Sequence, residues 1–82
     1  MKENVIKEKS LRFAVRIVKL YKHLVKTEKE FLWSKQILKS GTSIGAMIRE
    51  SEHAESTADF VHKMSIALKE ANETEYWIEL LC

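Results

Sequence analysis

The feature that most constrains this chain is a helical spacing of apolar residues that runs through 82 residues without a single proline. Proline inside a helix removes a backbone hydrogen bond and clashes with the preceding turn, so its absence leaves long helices unbroken. Apolar residues make up 45% and charged residues 32%, which is typical of an ordered chain and not of a disordered one. We therefore predict an all-α fold in one domain, residues 1–82, with a modest core.

Capping signals divide the chain into three predicted helices. Ser10 is a candidate N-cap for the first helix. Thr27 with Glu30 has the spacing of a capping box for the second, and Ser56 with Asp59 repeats that spacing before the third. The predicted helices occupy about residues 10–26, 28–52 and 57–81. Their arrangement is expected to be an antiparallel up-down bundle.

Two glycines fall inside the second predicted helix. Gly41 and Gly45 lie four residues apart, on the same arc as Ile37 and Ile48. An interior glycine costs about 1 kcal/mol relative to alanine, so a pair of them on the packed side predicts a very close approach of another helix. A break of the helix at Gly41 is the alternative.

The last turns of the third helix are apolar on nearly all sides. Apolar side chains exposed in this way usually mark an interface, and we predict an oligomer interface formed by Tyr76, Trp77, Leu80 and Leu81. Glu75 falls near the middle of the apolar stripe, so its carboxylate needs either a buried partner or access to solvent. We favour solvent, because long charged side chains readily reach water.

Charge is divided unevenly along the chain. Residues 1–30 contain nine Lys and Arg against four Glu, whereas residues 31–82 contain five against eight Asp and Glu. The first helix has an apolar face and a basic face, and such a basic face suits nucleic-acid phosphates or acidic protein side chains. An ordinary solvated face is the alternative. The candidate nucleic-acid-binding residues are Arg12, Arg16, Lys19, Lys22, His23 and Lys26.

No stretch of the sequence predicts a catalytic or metal site. Residues 40–45 have the residue types of a phosphate loop but not the GxxxxGK[ST] spacing, and no predicted strand precedes them. Residues 50–55 gather carboxylates around one histidine, without the second histidine or cysteine that a zinc site requires. Cys82 cannot form an internal disulfide and is interpreted as a packing residue, and residues 1–9 lack the apolar region of a signal peptide. We therefore expect a cytoplasmic, non-enzymatic protein without metal, cofactor, small-molecule substrate or membrane span.

Several short segments in combination resemble a known bacterial family. They are FAVRIVKLY at 13–21, KSGTSIGA at 39–46, ADF at 58–60, ALKEA at 67–71 and ETEYW at 73–77. The combination resembles the four-helix-bundle family of 23S ribosomal RNA intervening-sequence proteins, over about residues 4–81. The resemblance implies an up-down bundle in a ring-like homo-oligomer, typically a pentamer, in the bacterial cytoplasm and without catalytic residues.

The resemblance also bears on function. Accessory proteins of diversity-generating retroelements are similar to this family and bind nucleic acid and a reverse transcriptase through basic surfaces, which implies RNA or DNA as a partner of the first helix. A structural or protein-recruiting scaffold is the other expectation. The family normally carries a fourth helix, whereas this sequence ends near the end of its third, so we expect either a truncated form or an oligomeric contact in place of that helix.

Overall fold

The structure, a computed structural model, describes residues 2–81, with side chains from residue 5 onward. It contains three α-helices, α1 (Lys2–Lys26), α2 (Trp33–Ser51) and α3 (Thr57–Leu81). No strand occurs within residues 2–81, so the all-α prediction is confirmed. The predicted packing of Cys82 lies outside the described residues.

The start of α1 differs from the prediction. Ser10 lies inside the helix, where it is buried and its hydroxyl donates to the backbone carbonyl of Lys7 at 2.9 Å. A serine can remain in a helix interior when its hydroxyl is satisfied by the preceding turn. The prediction of Ser10 as an N-cap was therefore wrong. Ser10 is a small residue because it faces Gly45 of α2, and a small polar residue has the same appearance in the sequence as an N-cap.

The start of α2 also differs. The helix begins at Trp33, and the predicted capping box of Thr27 with Glu30 does not form. Instead the carboxylate of Glu30 accepts hydrogen bonds from the backbone N–H groups of Leu32, Trp33 and Ser34, at 3.1, 2.9 and 2.7 Å. Glu30 therefore precedes the helix and accepts hydrogen bonds from the backbone N–H groups at its start. The sequence prediction had placed Glu30 within the first turn of the helix.

The start of α3 follows the prediction closely. The hydroxyl of Ser56 accepts the backbone N–H of Asp59 at 3.0 Å, and α3 begins at Thr57. The carboxylate of Asp59 accepts the N–H of Glu55 at 3.1 Å, one residue earlier than a capping box requires. The two reciprocal hydrogen bonds fix the direction in which α3 leaves the turn.

α1 packs on α2 where the two glycines face it. Gly41 and Gly45 are buried within an unbroken helix, so the predicted continuous helix is confirmed and the alternative, a break at Gly41, is wrong. A Cβ atom added at Gly41 would lie 2.8 Å from Cγ1 of Ile17, and one at Gly45 would lie 3.5 Å from Oγ of Ser10. The predicted close approach is confirmed. Because the later glycine faces the earlier residue of α1, the two helices are antiparallel.

α3 is also antiparallel to α2. The hydroxyl of Thr74 donates to Oγ of Ser40 at 2.8 Å inside the interface, and the ammonium of Lys63 lies 3.0 Å from the carboxylate of Glu50. Thr74 occupies the buried position, whereas Glu75 is exposed. The carboxylate of Glu75 therefore reaches solvent, as the sequence favoured.

α1 and α3 run parallel to each other, and each packs mainly on α2. Within residues 2–81, no Cα atom of α1 lies within 8 Å of one in α3, so α2 is the helix that joins them. The core cluster of Ile17, Leu24 and Ile37 lies toward the end of the molecule where α2 begins. Toward the other end an apolar groove stays open between α1 and α3. Its lining includes Ile6, Phe13, Ile44, Ile48, Phe60, Met64 and Ala71.

Candidate nucleic-acid interface

The six predicted binding residues all lie in α1, and all are exposed. α1 is unbroken between Arg12 and Lys26, so these residues extend over about 20 Å at about 1.5 Å per residue. They lie on the side turned away from the buried residues Ile17 and Leu24. The fold thus brings the predicted residues together on one solvent-facing surface, which we call the basic stripe: Arg12, Arg16, Lys19, Lys22, His23 and Lys26.

Ion pairs occur at both ends of the basic stripe. Arg12 lies 3.2 Å from the carboxylate of Glu8, and Nε2 of His23 lies 3.4 Å from the carboxylate of Glu28, a pair that is ionic when the imidazole is protonated. All four side chains are more than half exposed, and exposed pairs contribute only about 0–1 kcal/mol. Among the described residues the other four members, Arg16, Lys19, Lys22 and Lys26, make no ion pair.

Glu8 is a residue of this surface that the sequence prediction missed. With the first helix predicted to begin at Ser10, Glu8 fell outside it and had no defined direction. In the structure α1 continues back through Glu8, which places its carboxylate one turn before Arg12. The available signal was the spacing of four residues between an acid and an arginine, which supports an ion pair only where a helix already exists.

The four residues of the predicted oligomer interface fall in two different environments. Trp77 and Leu81 are partly buried against the core, and the Trp77 ring stacks on Trp33 with centroids 5.6 Å apart and an interplanar angle of 24°. Tyr76 and Leu80 are exposed. Tyr76 and Leu80 therefore offer most of their surface to a partner, whereas Trp77 and Leu81 also stabilise the fold of the chain itself.

The turn before α2 adds two apolar residues that were not predicted at the surface. Phe31 and Leu32 are 58% and 63% exposed, and they directly precede Trp33, which stacks on Trp77. The sequence prediction placed them inside a helix, where one face would have been covered. Together with Tyr76 they give this end of the molecule an exposed apolar surface.

Two of the three carboxylates of residues 50–55 make ion pairs with other helices, and the three do not form a metal-binding cluster. Glu50 pairs with Lys63 at 3.0 Å and Glu52 pairs with Lys7 at 3.3 Å, while His53 is exposed. In the described part of the chain, no group of three or more His, Cys, Asp or Glu side chains could hold a metal ion. Across the same residues, no helix is long and apolar enough to cross a membrane.

Three helices, each antiparallel to the one before it, define a small all-α protein with one basic outer surface. The family model described as 23S rRNA-intervening sequence protein matches residues 2–82. The chain belongs to this family, and the membership predicted from its sequence motifs is confirmed.

A solved structure supports the same assignment. It is the crystal structure of a protein from Bacteroides thetaiotaomicron VPI-5482, described as having unknown function and as coming from the S23 ribosomal protein family. The two proteins share 73% sequence identity, and the match covers 99% of this chain and 72% of that chain with a TM-score of 0.97. A comparison with curated proteins finds no match.

Proposed function

We propose that this protein is a non-enzymatic, cytoplasmic homo-oligomer that binds RNA or DNA through the basic stripe of α1. The observation that carries the proposal is the one-sided exposure of six basic side chains on a single unbroken helix, with only two of them in ion pairs. The name of the matched family associates its members with the intervening sequence of 23S rRNA, which accords with a nucleic-acid context.

The chemistry of the basic stripe favours contact with phosphates over contact with bases. The guanidinium groups of Arg12 and Arg16 can each donate two parallel hydrogen bonds to a phosphate, and the lysines add point charges along the helix. The stripe itself contains no Phe, Tyr or Trp on which a base could stack. Affinity would therefore come from counterion release, with little preference for sequence.

A pair of charge-matched variants tests this function. Binding is measured by fluorescence anisotropy with labelled mixed-sequence RNA and DNA at about 50 mM salt, where phosphate contacts are strong. Arg12→Glu with Arg16→Glu should abolish binding and leave the circular dichroism spectrum unchanged, because both side chains are exposed. The control, Lys35→Glu with Lys69→Glu, makes the same change in net charge on α2 and α3 and should retain most of the binding.

Homo-oligomerisation follows from the exposed apolar surface at the end of the molecule. Phe31, Leu32, Tyr76 and Leu80 are each more than two-fifths exposed, and a soluble chain rarely leaves such a group uncovered. Sedimentation velocity at micromolar concentration should show an oligomer, for which the family resemblance suggests a pentameric ring. A monomer whose sedimentation does not change with concentration would contradict this part of the proposal.

A structural or protein-recruiting scaffold is the second candidate. The open apolar groove between α1 and α3 favours it, since such a groove can accept an amphipathic helix of a protein partner. A scaffold with a dedicated protein partner does not need to retain generic polyanions. If the parent protein binds neither RNA nor DNA at 50 mM salt, or if the Arg12 and Arg16 double variant binds as well as the parent, the scaffold function replaces nucleic-acid binding.

A further inference from the structure

The outer side of α1 carries a second surface that overlaps the basic stripe at Lys22 and is apolar near the start of the helix and positive near its end. Leu11, Val15 and Lys22 follow one another at spacings of four and seven residues, so they share about 40° of arc at about 100° per residue. Leu11 and Val15 are 49% and 46% exposed, and Lys22 is exposed as well. We call these three residues the α1 ridge.

The outer side of α3 carries a surface of the opposite sign. Val61, Leu68, Glu75 and Glu79 follow at spacings of seven, seven and four residues, which again places them within about 40° of arc. All four are exposed, and Leu68 is the most exposed large apolar side chain described, at 65%. We call these residues the α3 ridge. The ridge is apolar near the start of α3 and negatively charged near its end.

Contacts with α2 fix the relative heights of the two parallel helices. Ile17 of α1 lies against Gly41, and Thr74 of α3 is hydrogen-bonded to the adjacent residue, Ser40. Ile17 and Thr74 are therefore level to within about one residue, or about 1.5 Å.

Two pairs of ridge residues match in height from that common level. Leu11 lies six residues before Ile17 and Leu68 lies six before Thr74, while Lys22 and Glu79 each lie five residues beyond. Leu11 is thus at the height of Leu68, and Lys22 is at the height of Glu79. Neither Lys22 nor Glu79 has an ion-pair partner among the described residues.

We propose that the α1 ridge of one copy docks on the α3 ridge of a second copy, with the helices parallel, Leu11 against Leu68 and Lys22 against Glu79. The two ridges are different surfaces of one chain, so the contact is head-to-tail and each copy uses both ridges. Repetition of such a contact closes a ring or extends a filament. This inference rests on the proposed homo-oligomer and adds a contact distinct from the exposed apolar surface of Phe31, Leu32, Tyr76 and Leu80.

Charge and apolar order disfavour three other pairings of these ridges. An antiparallel contact would set Lys22 against Leu68 and Leu11 against Glu79, which desolvates two charges without a partner. Pairing of two α1 ridges in parallel would oppose lysines, and pairing of two α3 ridges would oppose glutamates. Arg12 and Arg16 lie about a quarter to a third of a turn farther around α1, so assembly leaves them open to nucleic acid.

Charge exchange within one chain tests the contact. Lys22→Glu alone and Glu79→Lys alone should each weaken association about 3- to 10-fold, because every head-to-tail contact then opposes like charges. The double variant, Lys22→Glu with Glu79→Lys, should recover association, because each contact again pairs opposite charges. Sedimentation velocity without nucleic acid, over a range of micromolar concentrations, measures association, and circular dichroism checks folding.

Two further variants separate this contact from general effects of charge. Lys69→Glu makes the same charge change on an exposed position of α3 outside the ridge and should leave association unchanged. Leu68→Ser removes the most exposed apolar side chain of the ridge without changing charge and should weaken association. If the parent associates but the single reversals do not weaken it, or the double variant does not recover, the contact is wrong and the proposed homo-oligomer stands. A parent that remains monomeric overturns both.

Discussion

At Gly41 the absence of a side chain sets how closely α1 and α2 approach. A Cβ atom there would lie 2.8 Å from Cγ1 and 2.9 Å from Cγ2 of Ile17, a buried β-branched residue whose rotamer is restricted. Gly41→Leu should therefore lower the free energy of unfolding by about 1–3 kcal/mol, measured by urea denaturation. Gly45→Ala is the matched control. Its Cβ would meet Ser10 at an ordinary 3.5 Å, so stability should be unchanged or higher by up to about 1 kcal/mol.

At Glu30 a single carboxylate sets the start of α2 and makes its stability depend on pH. Partial desolvation raises the pKa of Glu30, but the backbone hydrogen bonds from Trp33, Ser34 and Leu32 outweigh it and hold the pKa below its usual value. A carboxylate with a lowered folded-state pKa stabilises the fold above its unfolded-state pKa, and this contribution is lost as pH falls through the folded-state pKa.

Glu30→Gln should therefore lower the melting temperature at pH 7 and lose less stability than the parent between about pH 5 and pH 2. Thermal unfolding followed by circular dichroism across this range measures the difference. Glu55→Gln, at an exposed site without those backbone hydrogen bonds, is the control. If the melting temperatures of the parent and of Glu30→Gln fall equally as the pH is lowered, the Glu30 carboxylate is not the source of the predicted pH dependence.

At the scale of elements, periodicity predicted that three helices exist, but it did not predict where two of them begin. Ser10 and Glu30 show why. Serine is a common N-cap and glutamate is the common partner at the third position of a capping box, but the role of each depends on whether a neighbouring helix covers it or leaves it in a turn. The basic stripe was predictable because all its members lie on one helix. The environments of Tyr76 and Trp77 could not be predicted from the sequence, because they depend on which side of α3 packs against α2.

Adjacent aromatic residues at the end of α3 should therefore respond differently to the same truncation. Trp77→Ala removes a ring that stacks on Trp33 and packs against the core, so it should lower the free energy of unfolding by about 2–3 kcal/mol, less than a fully buried tryptophan would. Tyr76→Ala removes a ring that is 55% exposed and should change stability by less than about 1 kcal/mol. Denaturation curves compare them, and equal losses would contradict this division of the helix end.

At the scale of the whole molecule, α2 separates two outer helices that present different charges and carry different proposed contacts. The ridges of α1 and α3 would face neighbouring copies, and the basic stripe apart from Lys22 would stay beside them on the outer surface. A closed assembly would then repeat the stripe once in each copy, so that several stripes could contact one nucleic acid together. Such repetition raises affinity through effective concentration without any new contact.

Salt dependence measures how many cations of the stripe contact phosphates. If about three to five phosphates are neutralised per copy, log K should fall with log salt at a slope of roughly −3 to −5 for duplex.

Glu8→Gln releases Arg12 from its ion pair, so binding should tighten and the slope should steepen by about one. Anisotropy titrations between about 50 and 200 mM salt give both quantities. Glu55→Gln, which makes the same charge change at an exposed site in the turn before α3, should have a much smaller effect. Equal effects of the two variants, or a slope near zero for the parent, would mean that phosphates do not contact the stripe at Arg12.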